Sequence, residues 1–401
     1  MTSATPIDSR SRFPCSNAEL ERRWAAVRAE MESRNIDVLV MQNSSDWVGG
    51  YVRWFTDIPG TTGYPRTVIF PRDGLMTIIQ QGPFGAVRKI APDDPFNRGV
   101  EKVLTTSSFP SIIYSRFYDA EIAVEELRRR GDRTVGLVST PGMQYDFCAY
   151  LKDHTGAELT DATEFVDRIK AIKSAEEQAQ IRDCAEMHDA IFADLAKTIR
   201  PGMRDWEISA RARYVGANAG SEQGLTIGSS SPVGKASTFA PLAMQGRELR
   251  KGDHLSFLVE YNGPGGQYTE LARVFVLGKP SQELVDASEM MNVAQSETVK
   301  RLIPGTPSSE IFAAHNEFMR SHGLPEEARV YAHGQGYDMV ERPLIRHDET
   351  MAIEKGMNFA VHPGYVTGSV FGIVCDNFFV GEDGTTERLH KTPQTLIEID
   401  V

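Results

Sequence analysis

The chain has 401 residues, too many for one ordinary hydrophobic core and enough for two domains. Its 41% hydrophobic and 24% charged residues exclude a disordered chain, and a formal net charge of −12 argues against nucleic acid or an anionic membrane as partner. Cys15, Cys148, Cys184 and Cys375 lie far apart without CxxC spacing, which excludes a disulfide framework or zinc ribbon; with no apolar run of membrane or signal type, the expectation is a cytoplasmic protein.

In chain order, Ser16 and Glu19 give the pattern of a helix-capping box ahead of Leu20, Trp24, Val27 and Met31 at helical spacing, and IDVLVM follows as a buried strand. TVIFPRDGLMTII predicts a hairpin, and Tyr118–Arg130 and residues 143–153 predict helices around the strand TVGLV. Residues 1–165 are therefore expected to form a mixed α/β domain, and residues 166–401 a second domain. The second opens with a capping box at Ser174 and Glu177 and a long helix carrying Ile181, Cys184, Met187, Ile191 and Leu195 on one stripe, which Pro201 and Gly202 stop.

The second half repeats itself. IRPGMRDWEI at 199–208 matches LIPGTPSSEI at 302–311, and Lys251-Gly252 before HLSFLV matches Lys355-Gly356 before NFAV, at offsets of 103 and 104 residues. Two similar halves packed about a pseudo-two-fold axis would draw a site from both. The first half supplies the hairpin HLSFLVEY, NGPGGQ, YTELARVFVL, whose turn sets Glu260 opposite Glu270; like charges so placed need a cation, a proton or a basic ligand between them. The second half supplies His333 in YAHGQGYDMVERP, His362 in the apolar NFAVHPGYV, and Asp376 in VFGIVCDNFFV. A lone polar side chain in a buried strand pattern is costly without a partner, so His362 and Asp376 are expected to face something, whereas Cys375 reads as packing. His333 alone fits either a turn or a site.

As an ordered set, RIKAIKSAEEQAQIR, KGDHLSFLVEY with TELARVFVLG, YAHGQGYDMVERP, KGMNFAVHPGYV and FGIVCD with GEDG make the chain resemble the creatinase/prolidase/aminopeptidase P superfamily, the M24-like enzymes of the "pita-bread" fold. The resemblance spans nearly the whole chain. It implies a creatinase-type α/β domain followed by a pita-bread α+β catalytic domain, and a homodimer. Peptidases of that superfamily hold two divalent metals with two aspartates, one histidine and two glutamates. On this sequence Glu270 stands at the second aspartate, His333 at the histidine, His362 at the first glutamate and Asp376 at the last. Leu258 falls at the first aspartate, with Glu260 two residues along the same strand face. Val340 and Phe239 stand where the peptidases carry two further histidines.

These substitutions imply a divergent, non-peptidase member that hydrolyses a C–N bond of a small, cationic or amine-bearing substrate. Glu260, Glu270, His333 and His362 are the expected catalytic residues. Glu270, His333, His362 and Asp376 are the expected shell of a single Fe, Mn or Zn ion. Phe239, Tyr268, Tyr337 and Phe371 would form an aromatic wall, and Arg342, like Arg346, would hold a substrate carboxylate. The alternatives are a metal-free, creatinase-like amidinohydrolase, in which the two glutamates bind the cation directly, and a metal-dependent lyase like the dimethylsulfoniopropionate lyases. An Xaa-Pro peptidase and a non-catalytic binding scaffold stand further back.

Overall fold

The computed structural model describes residues 12–43, 47–60 and 63–401. The chain divides into two units, one running to Lys170 and the other from Ala171 to Val401.

The first unit is built on a seven-stranded mixed sheet. Its central strands Arg66–Pro71, Val38–Asn43 and Thr134–Val138 are short runs of Val, Ile and Leu, buried on both faces. Val38, Val40, Ile69 and Ile79 pack against Ala120, Val124 and Leu127 of the helix Tyr118–Arg130 and against Phe147 and Leu151 of the helix Tyr145–His154. The hairpin expected from TVIFPRDGLMTII is present as Arg66–Pro71 against Met76–Gln81. Ser16 caps the helix Asn17–Ser33 by accepting from the Glu19 amide, while the Glu19 carboxylate is taken by Arg22 and Arg23.

In the second unit Ser174 and Glu177 complete a full capping box, and the helix Ala175–Thr198 runs from it. The repeat read from sequence is a repeat of structure. Helices Ala175–Thr198 and Asp205–Ala219 precede one five-stranded sheet, and helices Gln282–Val299 and Ser308–Ser321 precede another. In the first sheet Gly224–Ser231 lies between Ala240–Pro241 and His254–Asn262, with Tyr268–Leu277 beyond. In the second, Ala332–Gly334 lies between Glu341–Leu344 and Asn358–Val361, with Asp376–Val380 beyond, so the strand order is the same.

Alternation along the strands decides what meets what. On His254–Asn262 the odd-numbered Leu255, Phe257 and Val259 pack under the helices with Ile191, Phe192, Leu195 and Ile208. The even-numbered Leu258, with Ala272 and Val274 of the partner strand, turns instead toward Ala360, Phe371, Ile373 and Cys375 of the second half. Glu260 and Glu270 are even-numbered too, and so lie on this seam between the halves. The seam is fastened by Arg273, 2% exposed, whose Nη2 donates to Asp376 Oδ1 at 2.7 Å while Nη1 donates to the carbonyls of Ala272 and Cys375.

A charge buried this deeply is costly once its partner is gone. Asp376→Ala is expected to lower the unfolding free energy by about 3–5 kcal/mol. Urea denaturation checks this, and a loss below about 1 kcal/mol, the range of exposed pairs, would contradict the clamp.

Candidate active site

The hairpin register places Glu260 directly opposite Glu270, and both are buried. The opposing strand of the second half places His333 in the middle of Ala332–Gly334, paired with Ala360, and His362 follows the strand Asn358–Val361 directly. The ligand atoms of Glu270, His333 and His362 all lie within 4.8 Å of one another; among the described residues no other group of such side chains converges in this way. His333 Nε2 stands 3.6 Å from Glu270 Oε2, and the two imidazoles meet edge to face with centroids 5.2 Å apart.

Glycines make room for this turn. A Cβ on Gly334 would stand 2.6 Å from the Arg342 carbonyl, and one on Gly336 would collide with the buried Lys173–Glu341 ion pair, which closes at 2.5 Å. The HGQG sequence around His333 thus allows backbone and a buried charge pair to come together behind the histidine.

Electrostatics separate the two carboxyls. Loss of water and the facing Glu270 carboxylate push the Glu260 carboxyl well above the usual range. Burial acts on Glu270 in the same direction, but His362, His333 and the Cys375 thiol together outweigh it and hold that group at about 2. The pair therefore holds one proton, on Glu260, and one charge, on Glu270. His333 Nδ1 lies 2.9 Å from the Gly334 carbonyl, which can only accept, so Nδ1 carries the hydrogen. Nε2 is then the ring atom left facing the Glu270 carboxylate, where it can share a proton with it or, deprotonated, ligate a cation. Two imidazoles and one carboxylate so disposed fit a single divalent transition ion.

Asp376 does not join them. Adjacent residues on a strand point to opposite faces, and here Cys375 faces Glu270 while Asp376 turns away to Arg273, Arg388, Gln295 and Gln394. The expected fourth ligand is displaced by one residue of register, and the position nearest Glu270 holds a thiol raised well above its ordinary range by burial and neighbouring carboxylates. Leu258 packs in the same apolar cluster as Cys375. Arg342 is committed as well, pairing through Nη2 and Nε with Glu349 at 2.5 and 3.2 Å, and Arg346 pairs with Asp348 at the surface, so the expected carboxylate anchors are internal ion pairs. Phe239 and Phe371 do meet, edge to face at 4.9 Å. Tyr268 and Tyr337 are fully buried, and Val340 is 42% exposed.

Three amides went unread in the sequence. Gln335 Nε2 donates to Glu260 Oε1 at 2.7 Å, Asn377 Oδ1 accepts from the Glu270 amide at 2.7 Å, and Asn358 joins both. Asn358 and Asn377 carry the same signal that singled out His362, a lone polar residue in an apolar strand, and Gln335 lies two positions along from His333.

The family model for metallopeptidase family M24 matches residues 179–382, just over half of the chain. The chain belongs to metallopeptidase family M24. Among curated M24 relatives it is 25% identical over 332 residues to the probable dipeptidase PepE of Mycobacterium tuberculosis, covering 77% of this chain and 88% of that protein. It is 26% identical over 407 residues to the uncharacterized hydrolase/peptidase y4tL of Sinorhizobium fredii, covering 96% and 98%. Among solved structures, the prolidase from Thermococcus sibiricus superposes with a TM-score of 0.78 at 20% identity over 96% of this chain and all of that one. An aminopeptidase P from Escherichia coli does so at 0.70 and 16% identity over 94% and 96%. The fold is thus the pita-bread fold of M24 hydrolases, with a histidine–carboxylate cluster at its seam.

Beneath His362, its backbone amide donates to the Tyr331 carbonyl, and the Tyr331 ring stacks at 3.8 Å on His315, a buried histidine neither of whose ring nitrogens is hydrogen-bonded. Burial holds His315 and His362 each at about 4, against 6.5 for a free histidine. Between pH 6.5 and about 4 the unfolded chain therefore binds more protons than the folded one, and stability falls as pH falls. His315→Phe, which keeps the stack, is expected to flatten that fall. Urea midpoints measured across the window check it, and an unchanged slope would contradict it.

Proposed function

We propose that this M24 chain hydrolyses a C–N bond of a small, non-peptide, amine-bearing or cationic substrate at the seam cluster. The observation that carries the proposal is the pair Glu260 and Glu270, directly opposed, buried, and driven to opposite protonation states. Two carboxyls pushed apart in this way provide an acid and a base within one site. Glu260 holds a proton to give to a leaving nitrogen, while the anionic Glu270 attracts the positive partner.

A divalent ion, when bound by Glu270, His333 and His362, would supply Lewis acidity and lower the pKa of bound water. The packing on that side supports one ion rather than two, because Leu258 offers no donor and burial keeps Cys375 a thiol. Val340 and Phe239, in place of two histidines, support a substrate other than a peptide. A metal-free version uses the same residues, with the Glu270 charge facing the cationic group of the substrate itself; Leu258, which cannot ligate, and Asp376, turned away to Arg273, favour it. The chain is read as a cytoplasmic homodimer in either version.

The test is a mass-spectrometric screen of small amides, cyclic amides and amidines in ¹⁸O-water, with Xaa-Pro dipeptides as comparison. The expected outcome is one ¹⁸O in the product, loss of turnover by about 100- to 10,000-fold in Glu270→Gln and Glu260→Gln, and little turnover of the dipeptides. A product without ¹⁸O would make the enzyme a lyase, and efficient Xaa-Pro cleavage would overturn the proposal. Chelator treatment separates the two versions: activity lost with removal of one ion per chain supports the metal, and full activity without an ion supports the metal-free form.

A further inference from the structure

The amide cluster beside Glu260 has an internal logic that belongs to this chain's own residues. Asn377 Oδ1 accepts the backbone N–H of Glu270, and a backbone N–H can only donate, so the orientation of the Asn377 amide is fixed. Its Nδ2 must then face acceptors, and it meets Gln335 Oε1 at 2.8 Å and Asn358 Oδ1 at 3.3 Å. That fixes Gln335 in turn, and its Nε2 donates to Glu260 Oε1 at 2.7 Å and to the Met339 carbonyl at 3.0 Å. Asn358 Nδ2 closes the cluster on the Gln335 carbonyl at 3.0 Å. All three amides are at most 1% exposed.

The relay is thus anchored at both ends on backbone groups of unambiguous polarity, and no amide in it can flip without breaking at least two hydrogen bonds. It also crosses the seam: Glu260 and Glu270 belong to the first half, while Gln335, Asn358 and Asn377 belong to the second, as do His333 and His362.

We infer that Gln335 and Asn377 are positioning residues that hold the two carboxyls of the first half at a set orientation against the two imidazoles of the second, so that the cluster closes on one small divalent cation. The inference rests on the single-ion version of the proposed function. Gln335 occupies Glu260 Oε1 and so sets the orientation of that carboxyl opposite Glu270. Asn377 holds the backbone at Glu270, which sets where that carboxylate starts. Neither amide touches the ion; each acts through a carboxyl.

The test uses the full-length chain and cobalt(II) as the probe. Gln335→Met keeps the volume and removes the donor, Asn377→Ala removes the relay's pivot, and Asn316→Ala is the comparison. Asn316 is also a buried amide bound to backbone, at Glu327, but lies outside the relay. Gln335→Met and Asn377→Ala are expected to weaken cobalt binding by about ten- to a hundred-fold and to change its visible absorption spectrum. Asn316→Ala is expected to lower Tm with the cobalt Kd and spectrum intact. Asn377→Gln, which restores an amide, is expected to recover part of the affinity.

In the metal-free chain, Gln335→Met and Asn377→Ala are also expected to move the imidazole ¹⁵N resonances of His333 and His362 at fixed pH, and Asn316→Ala to leave them in place. Wild-type affinity and spectrum in both relay variants would overturn the assignment, as would an equal loss in Asn316→Ala. If the wild type ignores cobalt, the single-ion version fails by itself; resonance shifts in the relay variants then still support positioning, and unmoved resonances overturn it.

Discussion

Two glutamates face each other across one hairpin, shut off from water, and cannot both be charged unless something positive comes between them. The second unit depends on how that conflict is resolved. Screening is absent at this depth, so the choice falls to the neighbours: two imidazoles approach Glu270 and keep it anionic, and a neutral amide approaches Glu260, which retains its proton. A hairpin carrying the same residues at a surface would need none of this.

The seam between the two sheets meets two demands with two kinds of fastening. Arg273 and Asp376 form a charged clamp whose guanidinium also takes the carbonyls on either side, so strength lies there. Gln335, Asn358 and Asn377 form an uncharged network beside the reacting groups, where a second set of charges would disturb the field at the glutamates. Leu255, Phe257 and Val259 on the other face of the first-half strand pack under helices and take no part.

Much of this was legible in the sequence, and the exceptions share a cause. The opposition of Glu260 and Glu270 follows from counting outward from a Gly-rich turn, and the repeat was readable from two short matches in register. His362 was singled out because a polar residue in an apolar strand needs a partner, and His333 because it matches the histidine of the family resemblance. Asp376 was misassigned because spacing to a glycine cannot tell which of two adjacent residues on a strand faces the site; only the pairing with the opposing sheet settles that Cys375 does. Arg342 looked like an anchor because its partner Glu349 is set by tertiary packing. The amides were missed because they carry no charge and attract no attention until their partners are known.

The donor set is divided between the repeats: carboxyls come only from the first and imidazoles only from the second. The copies have therefore ceased to be interchangeable. A ribosome that has delivered the first repeat has made two facing acids still open to water, and they are enclosed only about a hundred residues of synthesis later, when the strands bearing His333 and His362 arrive. Completion of the fold and assembly of the chemistry are for this chain one event.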